Sequence, residues 1–545
     1  MLRSCGPPRE THAPPSRLST PLTASARKHG PKVDLGIDFG TTRTVVACAD
    51  RGNHPVVSFQ DAAGDTVGFI PSIVAERRGT LHYGLDAVGL DGSSRVVRSF
   101  KRLLSGAARP EQIVRIGAAE IALADLMAGF AAHVREALGT RSDVKRAALR
   151  GSLRAAVAVP ANAHSAQRLI TLDAFRRAGF ESIAMLNEPS AAGFEYTHRH
   201  RDTLSSKRDL VVVYDLGGGT FDASVVRMSG RRHEVIATAG LAHLGGDDFD
   251  SNLAHVALSH AGIEGSSLDG PAFDRLVDHC RAAKEALNPA SRKITIDLEG
   301  ALGAAAPRPE VTLPVSDFYD ACAPLVERTV EAIAPLMSRL EDEAMSPAFG
   351  EVAGIYVVGG ASELPVVART LRQRFGRRVH RSPYPSAAVA IGLSIAADAG
   401  SGFELVDRYA RTFGVFRERE SGREITFDPI FSPETELPRA RGERLTETRE
   451  YRAAHNVGHF RFFECSAIDA AGRPRGDMAL YRDVYFPFDR ALREAGDLAG
   501  VRVERQSDGG PPVVERYSLD DKGIVEVVIR DVDAGYERTY RLARG

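Results

Sequence analysis

The sequence predicts an α/β unit built on an internal duplication, followed by an all-β unit. Three observations predict it. From Val33 to about Ala399, short apolar runs of strand length alternate with longer Ala-, Leu- and Arg-rich helical patterns. Within that stretch a run of strand, Asp, Gly and Thr occurs twice, as Asp38-Phe39-Gly40-Thr41-Thr42 and as Asp215-Leu216-Gly217-Gly218-Gly219-Thr220-Phe221-Asp222. Past Gly400, short alternating strands and turn signals continue with no long helical pattern.

Taken in order, residues 1–32 are rich in Pro, Ser, Thr and Arg and read as a disordered basic tail. Prolines at 7, 8, 14, 15 and 21 spoil the amphipathic helix of a transit peptide, so plain disorder ranks above targeting. Val33–Ile37, Ala155–Val159, Leu210–Tyr214 and Gly354–Val358 read as buried strands. Ile121–Leu138, Ser165–Ala178, Phe273–Leu287 and Phe318–Leu340 read as helices. Ser421-Gly422, Asp508-Gly509-Gly510 and Asp520–Gly523 mark turns of the last unit. The expected division is a tail at 1–32, the duplicated unit at 33–400, a linker at 401–408 and the β unit at 409–545.

The 545 residues exceed what one core organises, and 43% hydrophobic with 26% charged residues is an ordinary globular balance. Seventy Lys+Arg against 71 Asp+Glu leave a net charge of −1, which gives no general electrostatic reason to bind nucleic acid or membrane. The cysteines at 5, 48, 280, 322 and 465 form no Cys-x-x-Cys pair and are odd in number, so a reducing compartment is the simpler reading. The longest apolar stretch, around Ala387–Ala397, falls short of the roughly 18–20 residues of a transmembrane helix. The expectation is a cytoplasmic protein.

The duplicated motif carries chemistry. A strand running into a Gly turn brings backbone N–H groups close to phosphate oxygens, Thr hydroxyls add donors, and an acceptor-only Asp holds a hydrated cation. The first copy alone is equally compatible with an ordinary β-hairpin. Two copies facing each other make one cleft with two phosphate-binding turns, and three adjacent glycines in the second are costly without a close ligand. Val358-Gly359-Gly360-Ala361-Ser362 is a third place where backbone can lie against a ligand. No G-x-x-x-x-G-K-[ST] run occurs, which excludes a P-loop enzyme.

The order of these motifs resembles the actin/sugar-kinase/heat-shock superfamily and, within it, the DnaK-type heat-shock protein 70 family. Arg98-Ser99-Phe100-Lys101-Arg102-Leu103 resembles the segment bearing the phosphate-contacting lysine. Val159-Pro160-Ala161 with Gln167-Arg168 resembles the proline switch and its paired arginine. Asn187-Glu188-Pro189-Ser190-Ala191-Ala192, His243–Asp250 and Ala388–Gly392 match further signatures, and Val514–Gly545 resembles the last strands of a peptide-binding β-sandwich. The resemblance implies a duplicated, actin-like (ribonuclease-H-like) two-lobed ATPase domain followed by an all-β sandwich. It implies ATP/ADP and Mg²⁺ as ligands, with K⁺ as a second cation the family admits. By the same resemblance Lys101, Glu188, Thr220, Asp215 and Asp38 are the catalytic set, Asp38 and Asp215 holding the metal through water. Gly40, Thr41, Thr42, Gly217, Gly218, Gly219, Gly245, Gly246, Lys284, Asn288, Gly359, Gly360 and Ser362 are the nucleotide-binding set. Pro160, Arg168, Leu405 and Asp407 are the coupling residues. Phe413, Val415, Phe460 and Phe462 are candidates for a peptide slot, with ordinary sandwich core an equally good reading. Lys101 as a solvated lysine, Glu188 as a helix cap and Pro160 as a strand terminator are the plainer alternatives.

Several positions depart from the family. Arg281 stands for a usual Glu, Asn288 for a Ser and Glu363 for an Arg that packs on adenine; an exchange of charges between Arg281 and Glu363 across the base pocket is one reading, and drift in a weak-affinity protein is the plainer one. Arg43 replaces Asn or Tyr, and Ala184 replaces the Arg that J-domain co-chaperones use. Set beside the resemblance, the stretch to Gly545 leads to the expectation of a β-sandwich without the family's helical lid. The implied partners are unfolded or extended polypeptides, with a specialised J-domain protein or nucleotide exchange factor. Two rivals stand beside the chaperone: an ATP-sensing module whose β-domain holds one dedicated protein, and a small-molecule kinase of the same superfold, for which no sugar-binding insertion is present.

Overall fold

The apolar run at Val33–Ile37 forms the strand Lys32–Phe39, whose Val33, Leu35, Ile37 and Phe39 are buried on one face while the other carries Asp34, the buried Gly36 and Asp38. It turns through Gly40 into the antiparallel strand Arg43–Cys48 and pairs in parallel with Ser152–Val159 on its other side. Glu181–Asn187 and Ile70–Pro71 complete a five-stranded sheet. The second copy repeats the arrangement. Leu210–Leu216 turns into Phe221–Ser229 and pairs in parallel with Val352–Val358. Arg232–Leu241 and Val379–Arg381 extend that sheet, and Glu404–Val406 adds a sixth strand beside Arg232–Leu241. The matched strand order is the structural form of the duplication. The structure is a computed structural model, describing residues 32–90, 95–105, 108–200, 204–205, 208–344, 352–506 and 509–541; the expected tail, Lys32 apart, lies outside them.

The four expected helices are present as Leu123–Thr140, Ser165–Arg177, Gly270–Glu285 and Val315–Ala344. Two others cross between the sheets. Glu188–Arg199 and Ala388–Ala397 pack so closely that a Cβ on Gly392 would overlap the Ala191 carbonyl. Ala388–Ala397 is apolar all round because both lobes cover it. No helix among the described residues is long and apolar enough to cross a membrane.

After Glu404–Val406 the chain enters two antiparallel four-stranded sheets packed face to face. One holds Thr412–Arg419, Glu424–Phe431, Val457–Ile468 and Pro474–Pro487; the other holds Arg444–Arg452, Pro512–Asp520, Val525–Asp531 and Tyr536–Tyr540. Turns fall at Ser421-Gly422 and Asp520–Gly523 as expected. Asp508 lies outside the described residues.

The sandwich rests on the first lobe. Glu464 is buried there, accepting from the Ser165 backbone N–H at 2.9 Å and from the Ser165 and Tyr409 hydroxyls. His164 Nε2 lies 3.0 Å from Asp477 Oδ2, and Arg411 bridges Asp477 and the Asn162 carbonyl.

Candidate active site: a cleft between two glycine turns

Each hairpin carries its acid next to its turn, Asp38 penultimate in Lys32–Phe39 and Asp215 penultimate in Leu210–Leu216. The two turns meet across the cleft. A Cβ on Gly219 would sit 2.6 Å from Thr41 Cγ2, and one on Gly218 would overlap the Thr42 hydroxyl. The run of glycines therefore leaves room for the Thr41 and Thr42 side chains of the facing turn. A cavity of about 800 Å³ opens here, with Asp38, Gly40, Thr41, Thr42, Lys101, Glu188, Asp215, Gly217, Gly218 and Thr220 on its walls.

Lys101 sits in the 3₁₀ turn Phe100–Leu104 at 4% exposure, which sets aside the solvated alternative. Its Nζ donates to Glu188 Oε1 at 2.9 Å and lies 5.4 Å from the Phe39 ring centroid. Glu188 opens the helix Glu188–Arg199, where the positive end of the helix dipole favours an anion.

Asp222, which sequence reasoning quoted without assigning a role, belongs to this cluster. It is the cross-strand partner of Asp215 and accepts from the Ala161 backbone N–H at 3.0 Å. The signal was available: a hairpin symmetric about its glycine turn places the Asp after Thr220 opposite the Asp before Gly217. Burial pushes Asp38 up to about 7, with Glu188 adding and Lys101 opposing. Burial and Glu188 push Asp222 up to about 7 as well, and Asp215 rises well above its ordinary value from burial, then Glu188, Asp38 and Asp222.

The buried Glu188, Asp215 and Asp222 and the half-buried Asp38, against one lysine, make a site that is relieved by a cation. The Thr42 hydroxyl oxygen is buried with no hydrogen-bond partner, in a cradle that a Cβ on Gly218 would fill. These features fit a nucleotide phosphate accompanied by Mg²⁺. Among the described residues no three His, Cys, Asp or Glu side chains converge on a direct metal site.

Three of the expected nucleotide contacts make close contacts within the protein. Gly219 packs on Thr41 and Arg102, Gly245 packs on the backbone of Gly218 and Gly219, and neither is on the cavity wall. The fully buried Ser362 hydroxyl donates to the Gly359 carbonyl at 2.6 Å and is likewise off the wall. Gly246 lines the cavity, but its N–H donates to the Gly217 carbonyl, stitching the helix Gly246–Ala261 to the glycine turn. Gly359, Gly360, Lys284 and Asn288 also line the cavity. Lys284 Nζ is held by Asp250 at 2.6 Å and the Gly246 carbonyl at 3.0 Å, and Asn288 Oδ1 accepts from the Ala290 N–H.

An exchange of charges between Arg281 and Glu363 does not take the form of a pair. Arg281 is spent on Asp250 and Asp247 at 3.0 Å each and on Asp278 at 3.3 Å, whereas Glu363 lies 3.5 Å from Arg381. Each finds a partner on its own wall. Arg43 reaches across the cleft instead, to Glu285 at 2.5 Å, with its guanidinium over the Phe69 ring.

Two of the four coupling residues, Arg168 and Asp407, meet through Asn187. Asn187 Nδ2 donates to both Asp407 oxygens at 2.9 Å, and Arg168 Nη2 donates to Asn187 Oδ1 at 2.5 Å and Nη1 to the Lys522 carbonyl at 3.3 Å. Leu405 sits in the ladder opposite His233, and Pro160 adjoins Ala161, whose N–H holds Asp222.

The slot candidates fall elsewhere. Phe413, Val415 and Phe462 are fully buried and Phe460 nearly so, with Phe413 stacked on Phe462 at 6.0 Å and edge-on to Tyr481 at 5.0 Å. They are core between the sheets, because alternate strand residues point inward.

The sequence model of the Hsp70 protein family matches residues 140–415. Proteins named chaperone protein HscA homolog from Burkholderia ambifaria, Burkholderia cenocepacia and Burkholderia multivorans are each 32% identical, over 96% of this chain and 80% of their own length.

Proposed function

From the premise that the chain belongs to the Hsp70 family and is an ATPase of that chaperone class, we propose that it works in the DnaK manner, hydrolysis in the cleft governing polypeptide binding by the sandwich. The observation that carries the coupling is one peptide bond long. Asn187 holds the hinge through Asp407, and its neighbour Glu188 holds Lys101 inside the cleft. A change at the phosphate end that moves Glu188 must therefore reach the hinge.

Phosphoryl transfer to water needs positioned groups and charge more than covalent help. Lys101 supplies a desolvated positive charge beside the phosphate turns. Glu188 accepts from the attacking water and orients it, and Thr220 and the Thr42 hydroxyl hold phosphate oxygens. Magnesium bound with the nucleotide would be held through water by Asp38 and Asp215 and would neutralise phosphate charge. Asp222 fixes the Ala161 end of the loop that leads to Pro160. A specialised J-domain protein or exchange factor is the expected helper. Ala184, exposed at its strand, offers a generalist J-domain no cation.

A second reading, one dedicated protein partner in place of many clients, is favoured by the polar end of the sandwich interior. Glu515, fully buried at an inward position, is gripped by Arg417 at 2.7 and 3.2 Å and by the Tyr451 and Tyr517 hydroxyls, while Asp428 bridges Arg417 and Arg449. Such a filled end is poorly suited to generic apolar side chains. Steady-state ATPase with and without a panel of unfolded peptides tests both: broad stimulation supports the client reading, and none supports the dedicated partner.

A further inference from the structure

We propose that residues 499–506 of the β-sandwich are an internal stand-in for an extended, arginine-bearing polypeptide and mask the edge where such a segment of a partner docks; this rests on the reading that the sandwich holds polypeptide. The sandwich has two ends. One stands on the first lobe, where Arg168 donates to the Lys522 carbonyl and Glu464 accepts from Ser165. At the other end the turn 453–456 joins the strands Arg444–Arg452 and Val457–Ile468. The connection from Pro474–Pro487 to Pro512–Asp520 returns along that turn and pairs with it as a short antiparallel strand. His455 faces Arg505, the Asn456 N–H donates to the Glu504 carbonyl at 3.0 Å, and the Gln506 N–H donates to the Ala454 carbonyl at 2.9 Å. The Asn456 side chain reads the same main chain, donating to the Arg502 carbonyl at 3.0 Å and accepting from the Glu504 N–H at 2.8 Å. One side chain adds specificity. Arg505 donates to Glu418 on the strand Thr412–Arg419, and His455 Nε2 lies 3.5 Å from the same carboxylate.

The two halves of this connection are held differently. Arg493 fixes the first, donating to Asp531 at 2.5 Å and lying over the Tyr536 ring, and Leu498 is buried. From 499 to 506 no side chain is buried, and Val503 is 49% exposed. Surface backbone bonds and one exposed ion pair give a segment of low local stability. No buried apolar side chain is lost when it opens. Opening uncovers the main chain of 454–456, the Asn456 amide and the Glu418 carboxylate. An incoming extended chain remakes the main-chain bonds one for one. What an arbitrary chain does not bring is a guanidinium for Glu418, whose planar fork of donors matches a carboxylate. The neighbouring interior is polar, with Arg417 on Glu515, and offers an apolar side chain no contact to gain. The occupant selected is therefore an extended segment carrying arginine.

Fluorescence anisotropy with the full chain and a labelled peptide copying residues 501–506 tests this. Arg505→Ala loosens the internal segment and leaves Glu418 in place, so it should bind the peptide about three- to fivefold more tightly than the wild type, the worth of the exposed ion pair given up. On that variant, a peptide with leucine in place of its second arginine should bind weaker by about the same factor. His455 and Arg505 are a non-hydrogen-bonded cross-strand pair, with Cα atoms about 4.5 Å apart, within reach of a disulfide. The double variant His455→Cys with Arg505→Cys should therefore lose the peptide when oxidised and regain it on reduction. An Arg505→Ala chain that binds no tighter than the wild type, a leucine peptide that binds as well as the arginine one, or an oxidised form that binds like its reduced form overturns the proposal. If neither these peptides nor a panel of unfolded ones bound Arg505→Ala, the polypeptide reading would fall too, a result distinct from failure of the masking segment alone.

Discussion

The ion pair of Lys101 and Glu188 is buried on both sides, so neither charge is screened by water and neither can be removed without exposing the other to a low-dielectric surrounding. Lys101→Ala should leave a folded protein that binds ATP but hydrolyses it about a hundredfold more slowly, the equivalent of ~3 kcal/mol of transition-state contact. Single-turnover hydrolysis beside a binding isotherm separates the two effects. If the pair acts as one unit, Lys101→Ala with Glu188→Ala should fall little below Lys101→Ala alone. Unchanged turnover would remove Lys101 from the chemistry. At this scale much was legible, because Asp38, Asp215 and Lys101 stand in motifs whose chemistry requires those residue types. Gly219 and Gly245 show the ambiguity that remains, because a glycine that lets neighbouring groups of the protein pack closely has the same sequence signature as one that lets a phosphate approach. Asp222 was passed over for want of the hairpin register.

Elements were easier to find than their partners. Alternating texture located all four expected strands and helices, since burial on both faces of a central strand leaves a continuous apolar run. That the short hinge run would become a sixth strand of the second lobe was not legible, since three residues carry no periodicity of their own. That strand lies against an aromatic layer: His233, pairing with Leu405, stacks on Phe194 at 4.6 Å and meets Phe403 at 5.5 Å. Burial pulls His233 down to about 4 from 6.5. The unfolded chain then binds the proton more tightly, so this group's contribution is complete above pH 6.5 and is lost as pH falls toward 4, by ~3 kcal/mol in all. Chemical denaturation at pH 7 and pH 4.5 should show His233→Gln losing less stability on acidification than the wild type. Equal losses would exclude His233 as a contributor. Asp407→Ala tests the same element from its other end. It removes the acceptor of Asn187 and should leave basal hydrolysis within a few-fold while abolishing its response to a bound polypeptide; a retained response would show that coupling bypasses the hinge.

At the scale of the whole molecule the deciding contacts join residues far apart in sequence, which is why none was foreseen. Ser165 and Glu464, 299 positions apart, meet only after both units fold. The slot residues failed for the related reason that inward strand positions look alike whether they face a core or a ligand. The inward positions that break the apolar pattern, Arg417 and Glu515, carry the stronger message. Removing Arg417 alone leaves Glu515 buried among two tyrosine hydroxyls without its cation. A fully buried pair broken in this way costs about 3–5 kcal/mol, and the partial exposure of Arg417 lowers that to ~2 kcal/mol. Replacing both charges with leucine removes the demand as well as the supply, so Arg417→Leu with Glu515→Leu should recover most of the lost stability in a thermal melt. It should also change what the sandwich holds. With the native network in place, extended apolar peptides are expected to bind weakly and leave quickly even with ADP, because no apolar side chain can displace Arg417 without stranding Glu515. ATP should shift that affinity by ~1–3 kcal/mol, as ordinary allosteric couplings do. In the double leucine variant the same peptides should dwell longer, since differences between related complexes reside mainly in dissociation rate. Stopped-flow release of a fluorescent apolar peptide from the two proteins decides the matter. Slow release from the native chain, over many minutes, would mean that the network opens readily and that the sandwich takes apolar clients after all.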